Sequence, residues 1–195
     1  MTIYNLKPKF QNMLRPCVSV LWKMGITPNQ ITLGTCLLSV ATGLWLFYSQ
    51  NEMFYILPLF FFFRMALNAI DGMLAKEHNL KSPMGAILNE VTDVVSDGFL
   101  YFSFGRFFFI NQKLLFFIIF FSAVTEITGL AVLLNGSPRQ YAGPMGKSDR
   151  AFVFSIIALL ISFGVINETL YTVLLSVVSL LLLATIFNRV RKSLY

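Results

Sequence analysis

Charge is scarce in this chain of 195 residues. Asp, Glu, Lys and Arg together make up 12% of it, about half the share of an average soluble domain. Sulfur and imidazole are scarcer. The two cysteines, Cys17 and Cys36, fall in or near apolar stretches, make no metal-binding spacing, and give no disulfide framework. The single histidine, His78, is expected to be a solvated loop residue. No run of Lys and Arg interleaved with exposed aromatics suggests a nucleic-acid partner. No internal repeat, low-complexity linker or inverted half is visible, which weighs against a small transporter. The opening "MTIYNLKPKFQNMLRPCVSVLWKMG" lacks both a long apolar core and a small-residue cleavage site, so it does not read as a removed signal peptide.

What is present is apolar. Hydrophobic residues make up 56% of the chain, with 21 Phe among them, and long runs recur along its whole length. A membrane-spanning helix needs roughly 20 such residues. The pattern predicts an all-α, polytopic membrane protein of one domain over residues 1–195, with six spans at about 31–49, 54–75, 85–109, 114–134, 151–166 and 170–188, forming a bundle over 31–188. Residues 1–24 are expected to form an amphipathic interfacial helix, with Tyr4, Phe10 and Trp22 toward lipid and basic residues toward head groups.

An even number of spans puts both termini on one side. Inner segments would hold Lys7, Lys9, Arg15, Lys23, Lys76, Lys81, Arg139, Lys147, Arg150, Arg189, Arg191 and Lys192, and outer turns only Arg106 and Lys113. Both termini are therefore expected in the cytoplasm, at the inner membrane if the source is bacterial. The net charge of +6 then reflects topology and attraction to anionic lipid more than a substrate. Trp45 and Tyr48 suit an outer aromatic belt. The terminal "NRVRKSLY" suits a head-group anchor.

Against this background stands "NAIDGMLAKEHNLKSPMGAILNEVTD", residues 68–93. On the second span Arg64, Asn68, Asp71 and Ala75 share one helical face. On the third, Gly85, Asn89, Asp93 and Asp97 do the same. A short loop makes the two helices antiparallel neighbours, so oxygen atoms of Asn68, Asp71, Asn89 and Asp93 converge about one to two turns below the surface. Carboxylates at that depth must be paired, hydrated or metal-bound. A hard divalent cation would relieve their repulsion, and an interhelical hydrogen-bond seam is the other reading. Arg64 is expected to pair with Asp97 or Glu126; Glu126 is otherwise a pocket wall.

The same stretch resembles the signature of the CDP-alcohol phosphatidyltransferase family, D-x2-D-G-x2-A-R-x8-G-x3-D-x3-D. Asp71, Gly72, Ala75, Gly85 and Asp93 match it, every spacing is kept, and Asn68, Lys76 and Asn89 replace an Asp, the Arg and an Asp. "GITPNQIT" at 25–32 resembles the family's segment before its first span, and "GPMGKSDR" at 143–150 lies where members often place basic residues. The resemblance implies a dimeric membrane enzyme that moves a phosphatidyl or related phosphoalcohol group from a CDP-linked lipid to a small alcohol or phospho-alcohol acceptor, releasing CMP. It implies Mg²⁺ or Mn²⁺ held by Asn68, Asp71, Asn89 and Asp93, with Asp93 also the general base. It implies donor contacts from Asn29, Thr32, Gly72, Ala75, Lys76 and Ser82, and acceptor-phosphate contacts from Arg139, Lys147 and Arg150. With only two carboxylates in the ligand set, one tightly held ion is expected. Glu90 and Asp97 are expected to pair with neighbours rather than to ligate. The Asn replacements leave open a nucleotide-lipid-binding scaffold without turnover.

Overall fold

The computed structural model describes residues 6–107 and 111–194. Among them lie seven α-helices: α1 (Leu6–Lys23), α2 (Pro28–Tyr48), α3 (Ile56–Glu77), α4 (Pro83–Phe102), α5 (Gln112–Ala131), α6 (Lys147–Ser162) and α7 (Glu168–Leu194). Short 3₁₀ turns precede α3 (Asn51–Tyr55) and follow α4 (Ser103–Arg106) and α5 (Val132–Asn135). The protein is all-helical. Four helical stretches are long and apolar enough to cross a bilayer: Pro28–Tyr48, Asn51–Glu77, Gln112–Asn135 and Glu168–Leu194. It is a polytopic membrane protein, and its outward-turned Leu37, Leu59, Phe62, Phe120, Leu180 and Phe187 are what such a surface requires.

Two expected spans differ from these four. The helix α4 has 20 residues but carries Glu90, Asp93 and Asp97 on its length. The helix α6 has 16 residues, about 24 Å of rise. The third stretch was expected to run on to residue 109. Instead α4 ends at Phe102 and a 3₁₀ turn takes over through Gly105 and Arg106; 108–110 lie outside the described residues. The last helix exceeds expectation, continuing through "NRVRKSL".

Local signals explain the helix starts. Thr27 caps α2, accepting from the Gln30 backbone N–H at 3.3 Å, while the Gln30 side chain accepts from the Thr27 N–H at 2.8 Å, and Pro28 follows. Ser82 caps α4 by accepting from the Gly85 N–H at 3.0 Å, again with Pro next. Between α3 and α4, Asn79 takes the left-handed conformation, φ 54°, which Asn tolerates at a helix end. The chain thereby reverses in a few residues and sets α3 antiparallel to α4.

Packing divides along the bundle axis. At one end Leu46, Phe54, Leu57, Tyr101, Phe104 and Phe154 form a dry aromatic core, with the Tyr101 and Phe154 rings stacked at 4.1 Å. There α2 and α4 touch: a Cβ on Gly43 would lie 2.7 Å from the Phe99 carbonyl carbon. At the other end Leu14 and Val18 of α1 pack with Ile31, Ile70, Met73 and Leu74. Thus α1 lies on α3, its Phe10 ring edge-on to Phe62 at 5.9 Å. Trp22 stacks on His78 at 4.1 Å, so His78 is a packed partner of α1 rather than a solvated loop residue, and one face of Trp22 is turned to the protein. Tyr4 lies outside the described residues. Between the two apolar ends runs a layer of charge.

Candidate active site

The layer has an open side and a closed side. On the open side the first turns of α2 and α4 and the last turns of α3 surround a cavity of about 320 Å³. Asn29, Thr32, Asn68, Asp71, Gly72, Ala75, Ser82, Gly85 and Asn89 all line it, so nine of the residues singled out by helical phase or by the family resemblance meet in one place. Asp71 is 6% exposed, and its Oδ2 accepts from the Thr32 hydroxyl at 2.8 Å. A Cβ on Gly72 would meet nothing within 4 Å: the position faces empty space. One on Gly85 would strike the Asn29 side chain at 2.9 Å and Ser82 Oγ at 3.0 Å, so glycine there keeps the α2 and α4 caps together.

Asp93 sits beside the cavity rather than in its lining. The Asn68 amide, which does line it, donates to Asp93 Oδ1 at 3.1 Å. Lys147 Nζ reaches the same oxygen at 2.5 Å, and Arg64 lies 3.4 Å from it. Asp71, Asp93 and Lys147 are close enough to feel one another's charge. Two lysines depart from expectation. Lys76 is exposed, about 100° around α3 from Ala75, and is not in the cavity wall, whereas Lys81 is.

The closed side joins α3 to α7. Arg64 pairs with Asp97 at 2.5 Å. Arg150, 1% exposed, bonds to Asp97 at 2.9 Å, Glu126 at 3.1 Å and the Thr125 hydroxyl at 3.0 Å. Glu126 also holds Arg139 at 3.5 Å and Arg189 at 3.6 Å, so it is a hub for three guanidinium groups. Arg139 grips both carboxylate oxygens of Glu90, one through Nη2 at 2.9 Å, and its guanidinium lies over the Tyr141 ring at 4.8 Å. Glu90 and Asp97 thus pair, as expected, with cations.

This arrangement has a local cause. The loop ahead of α6 is fastened to α5 by the Gln140 N–H on the Gly129 carbonyl at 3.1 Å, and to α7 by the Met145 N–H on the Thr185 hydroxyl at 2.9 Å. Arg139 is thereby carried across to α4. Arg189 is 2% exposed and donates to the Thr125 carbonyl; it is a buried member of the network and not part of a head-group anchor. The signal for it was the phase of α7: Tyr171, Leu175, Val178, Leu182 and Thr185 are its buried face, and the next step falls on Arg189, whereas Arg191 and Lys192 fall off it and are exposed.

Residues 25–192 match the CDP-alcohol phosphatidyltransferase family. The chain is 44% identical over 195 residues, covering all of it and 97% of the relative, to inner membrane protein YnbA of Escherichia coli K12. Its fold is similar to the Mycobacterium tuberculosis phosphatidylinositol phosphate synthase solved with CDP-DAG bound, at TM-score 0.76 and 21% identity over 91% of this chain and 92% of that one. The same enzyme in complex with manganese and citrate gives TM-score 0.75, also at 21% identity, over 92% and 88%.

Proposed function

Since the chain belongs to the CDP-alcohol phosphatidyltransferase family, we propose that it transfers a phosphatidyl or related phosphoalcohol group from a CDP-linked lipid, CDP-diacylglycerol, to a hydroxyl acceptor with release of CMP. One observation carries the reading. The cavity between the α2 and α4 caps puts a carboxylate, Asp71, beside a glycine, Gly72, whose missing side chain leaves space for a flat or phosphorylated group.

The chemistry of the donor set suits Mg²⁺ or Mn²⁺. Asp71, Asp93 and the amide oxygens of Asn68 and Asn89 are hard oxygen ligands, and the Lys147 ammonium on Asp93 marks a place where positive charge is already favoured. When bound, such an ion neutralises the diphosphate and the charge that develops on the leaving phosphate. Asp71 and Asp93, with Asn68 and Asn89, would hold it. The chain's own groups do the rest. The first turns of α2 and α4, which bear Asn29, Thr32 and Ser82, direct their N-terminal ends at the cavity and favour an anionic donor there. Ala75 and Gly72 allow close approach, and Lys81 adds charge at the rim. Asp93 takes the proton of the acceptor hydroxyl. The hydroxyl oxygen bonds to the phosphorus that carries the diacylglycerol, and the bond from that phosphorus to the CMP oxygen breaks, its electron pair leaving with CMP. Arg64 and Lys147 hold the Asp93 carboxylate in place. The acceptor enters from the side of Arg139, Lys147 and Arg150.

We place this site on the cytoplasmic side of a six-span bundle in one domain, with α4 and α6 as the two short or charged spans, whose exposed Ile87, Val91, Phe152 and Ile156 suit contact with lipid. The positive-inside count supports that sidedness, and YnbA, an inner membrane protein by name, supports the inner membrane. A homodimer follows from the family resemblance.

The test is CMP release from CDP-diacylglycerol by the purified protein with Mg²⁺ or Mn²⁺ across a panel of acceptor alcohols. Metal-dependent CMP release that needs an acceptor sustains the reading. A second reading, a nucleotide-lipid binder without turnover, draws on the crowding of Asp93 Oδ1 by Lys147, Asn68 and Arg64; donor binding with no CMP release under any acceptor selects it.

A further inference from the structure

We propose that Lys147 is a tethered cation that competes with divalent metal for Asp93 and so limits how many ions this site holds tightly. The inference rests on the transferase reading above and deepens its metal site.

The position of Lys147 is built into the fold. Asp93 and Asp97 lie one turn apart on α4, and Lys147 and Arg150 lie one turn apart on α6. The two helices therefore meet in two rungs, Lys147 on Asp93 at 2.5 Å and Arg150 on Asp97 at 2.9 Å. The Arg150 rung is buried, its side chains 1% and 7% exposed, whereas the Lys147 rung keeps 31% and 16%. Residues on both sides of Lys147 are fastened: Met145 by the Thr185 hydroxyl, and Arg150 by Glu126 and Thr125 as well as Asp97. The helix α6 itself has no use for a lysine in its first position. A helix N-terminus carries partial positive charge, which an ammonium opposes, and Asp149 already supplies the first-turn acid, accepting from the Gly146 N–H at 2.9 Å.

Asp93 Oδ1 is crowded by three nitrogen groups: the Lys147 ammonium, the Asn68 amide at 3.1 Å and the Arg64 guanidinium at 3.4 Å. A carboxylate oxygen has about two lone-pair sites, so Oδ1 is fully engaged. Arg64 is also bound to Asp97, whereas Asp93 is the one carboxylate within ion-pair distance of Lys147 among the described residues. The charge of the ligand set decides how tightly an oxygen site holds a divalent ion. Asp71 and Asp93 bring two negative charges, and the ammonium, close enough to act on Asp71 as well, offsets one. An ion that takes Asp93 must displace Lys147 or sit beside it, and either weakens its hold. An interhelical strut would add stability alone; a tethered cation also sets the affinity for metal.

The test is a titration of Mn²⁺ into the full-length protein in detergent, without donor, with free Mn²⁺ read by its electron paramagnetic resonance signal. Wild type is expected to hold at most one Mn²⁺ per chain at micromolar free metal. Lys147→Met is expected to bind Mn²⁺ on the order of tenfold more tightly, or to take one ion more in the same range, and Lys147→Arg to behave as wild type. Adding Asp71→Asn to Lys147→Met should abolish the gain. Unchanged or weaker binding in Lys147→Met overturns the proposal and leaves Lys147 a strut between α4 and α6. A gain shared by Lys147→Arg, or one that survives Asp71→Asn, overturns it too. CMP release is measured on the same samples. A gain in Mn²⁺ binding with no release from any of them sinks the transferase reading and leaves the tethered cation standing; metal-dependent release without the gain does the opposite. If Lys147→Met does not fold, Lys147→Gln takes its place. If neither folds, wild type decides: two tightly held ions overturn the proposal, and at most one sustains it.

Discussion

The α2–α4 cavity and the α4–α7 network adjoin along α3 and α4 and both draw on polar and charged residues, yet they are built oppositely. In the cavity a carboxylate, three amides and two glycines surround empty space, and Asp71 accepts from the neutral Thr32 hydroxyl and has no ion pair among the described residues. In the network every guanidinium is answered by a carboxylate, and Glu126 and Asp97 each bind more than one. The difference teaches that polarity inside a membrane bundle has two uses. Charge left partly unanswered waits for a ligand, and charge fully answered fixes helices relative to one another. Asp93 stands at the border, shared by Asn68 of the cavity and Lys147 and Arg64 of the network.

The border residue gives the largest expected effect. Asp93→Ala should lower CMP release by about 10² to 10⁴, read as initial rate with CDP-diacylglycerol and the best acceptor; full activity would remove Asp93 from the chemistry and leave it a structural link. Next comes the hub. Glu126→Ala leaves three guanidinium groups around an empty position and should cost about 3–5 kcal/mol, seen as a drop in Tm in detergent. A change within the noise would mean that the network is not closed, and the contrast drawn above would be broken. The open side predicts the reverse pattern. Gly72→Ala adds a Cβ that meets no atom within 4 Å in the free protein, so the Tm should stay nearly unchanged while donor affinity falls by about tenfold or more. A collapse in stability with unchanged donor binding would show that Gly72 serves packing. The smallest effect sharpens the rim: Lys76→Ala should change the apparent donor affinity by less than about twofold and Lys81→Ala by more, because an exposed charge outside the cavity wall contributes little.

Much of the cavity is legible in the sequence alone. The i, i+3, i+4 steps from Asn68 to Ala75 and from Gly85 to Asp97 fix two faces, and the short loop with Asn79, Ser82 and Pro83 forces those faces together. Such local constraints survive whatever the rest of the chain does. Lys76 was misplaced because a motif position fixes sequence distance but not which way a long side chain projects; the phase of α3 turns it outward. Arg189 was misplaced because a basic chain end was read by composition, although its phase continues the buried face of α7. The Arg139–Glu90 pair had no sequence signal of its own: 49 residues separate the partners, and the pairing depends on how the loop ahead of α6 is tied to Gly129 and Thr185. The limits of the spans were blurred for another reason. Hydropathy does not mark where a helix gives way to a 3₁₀ turn, as it does after Phe102.

The tight crossing of α2 and α4 at Gly43 has a mechanical consequence. The contact with Phe99 lies 15 residues beyond Pro28, a lever arm of about 22 Å. With the two rods pinned at that fulcrum, a scissor motion of about 5° shifts their free tips by about 2 Å, comparable to the radius of a phosphate group. A methyl group at position 43 would pry the blades apart at the hinge and alter the aperture of the cavity from about 22 Å away.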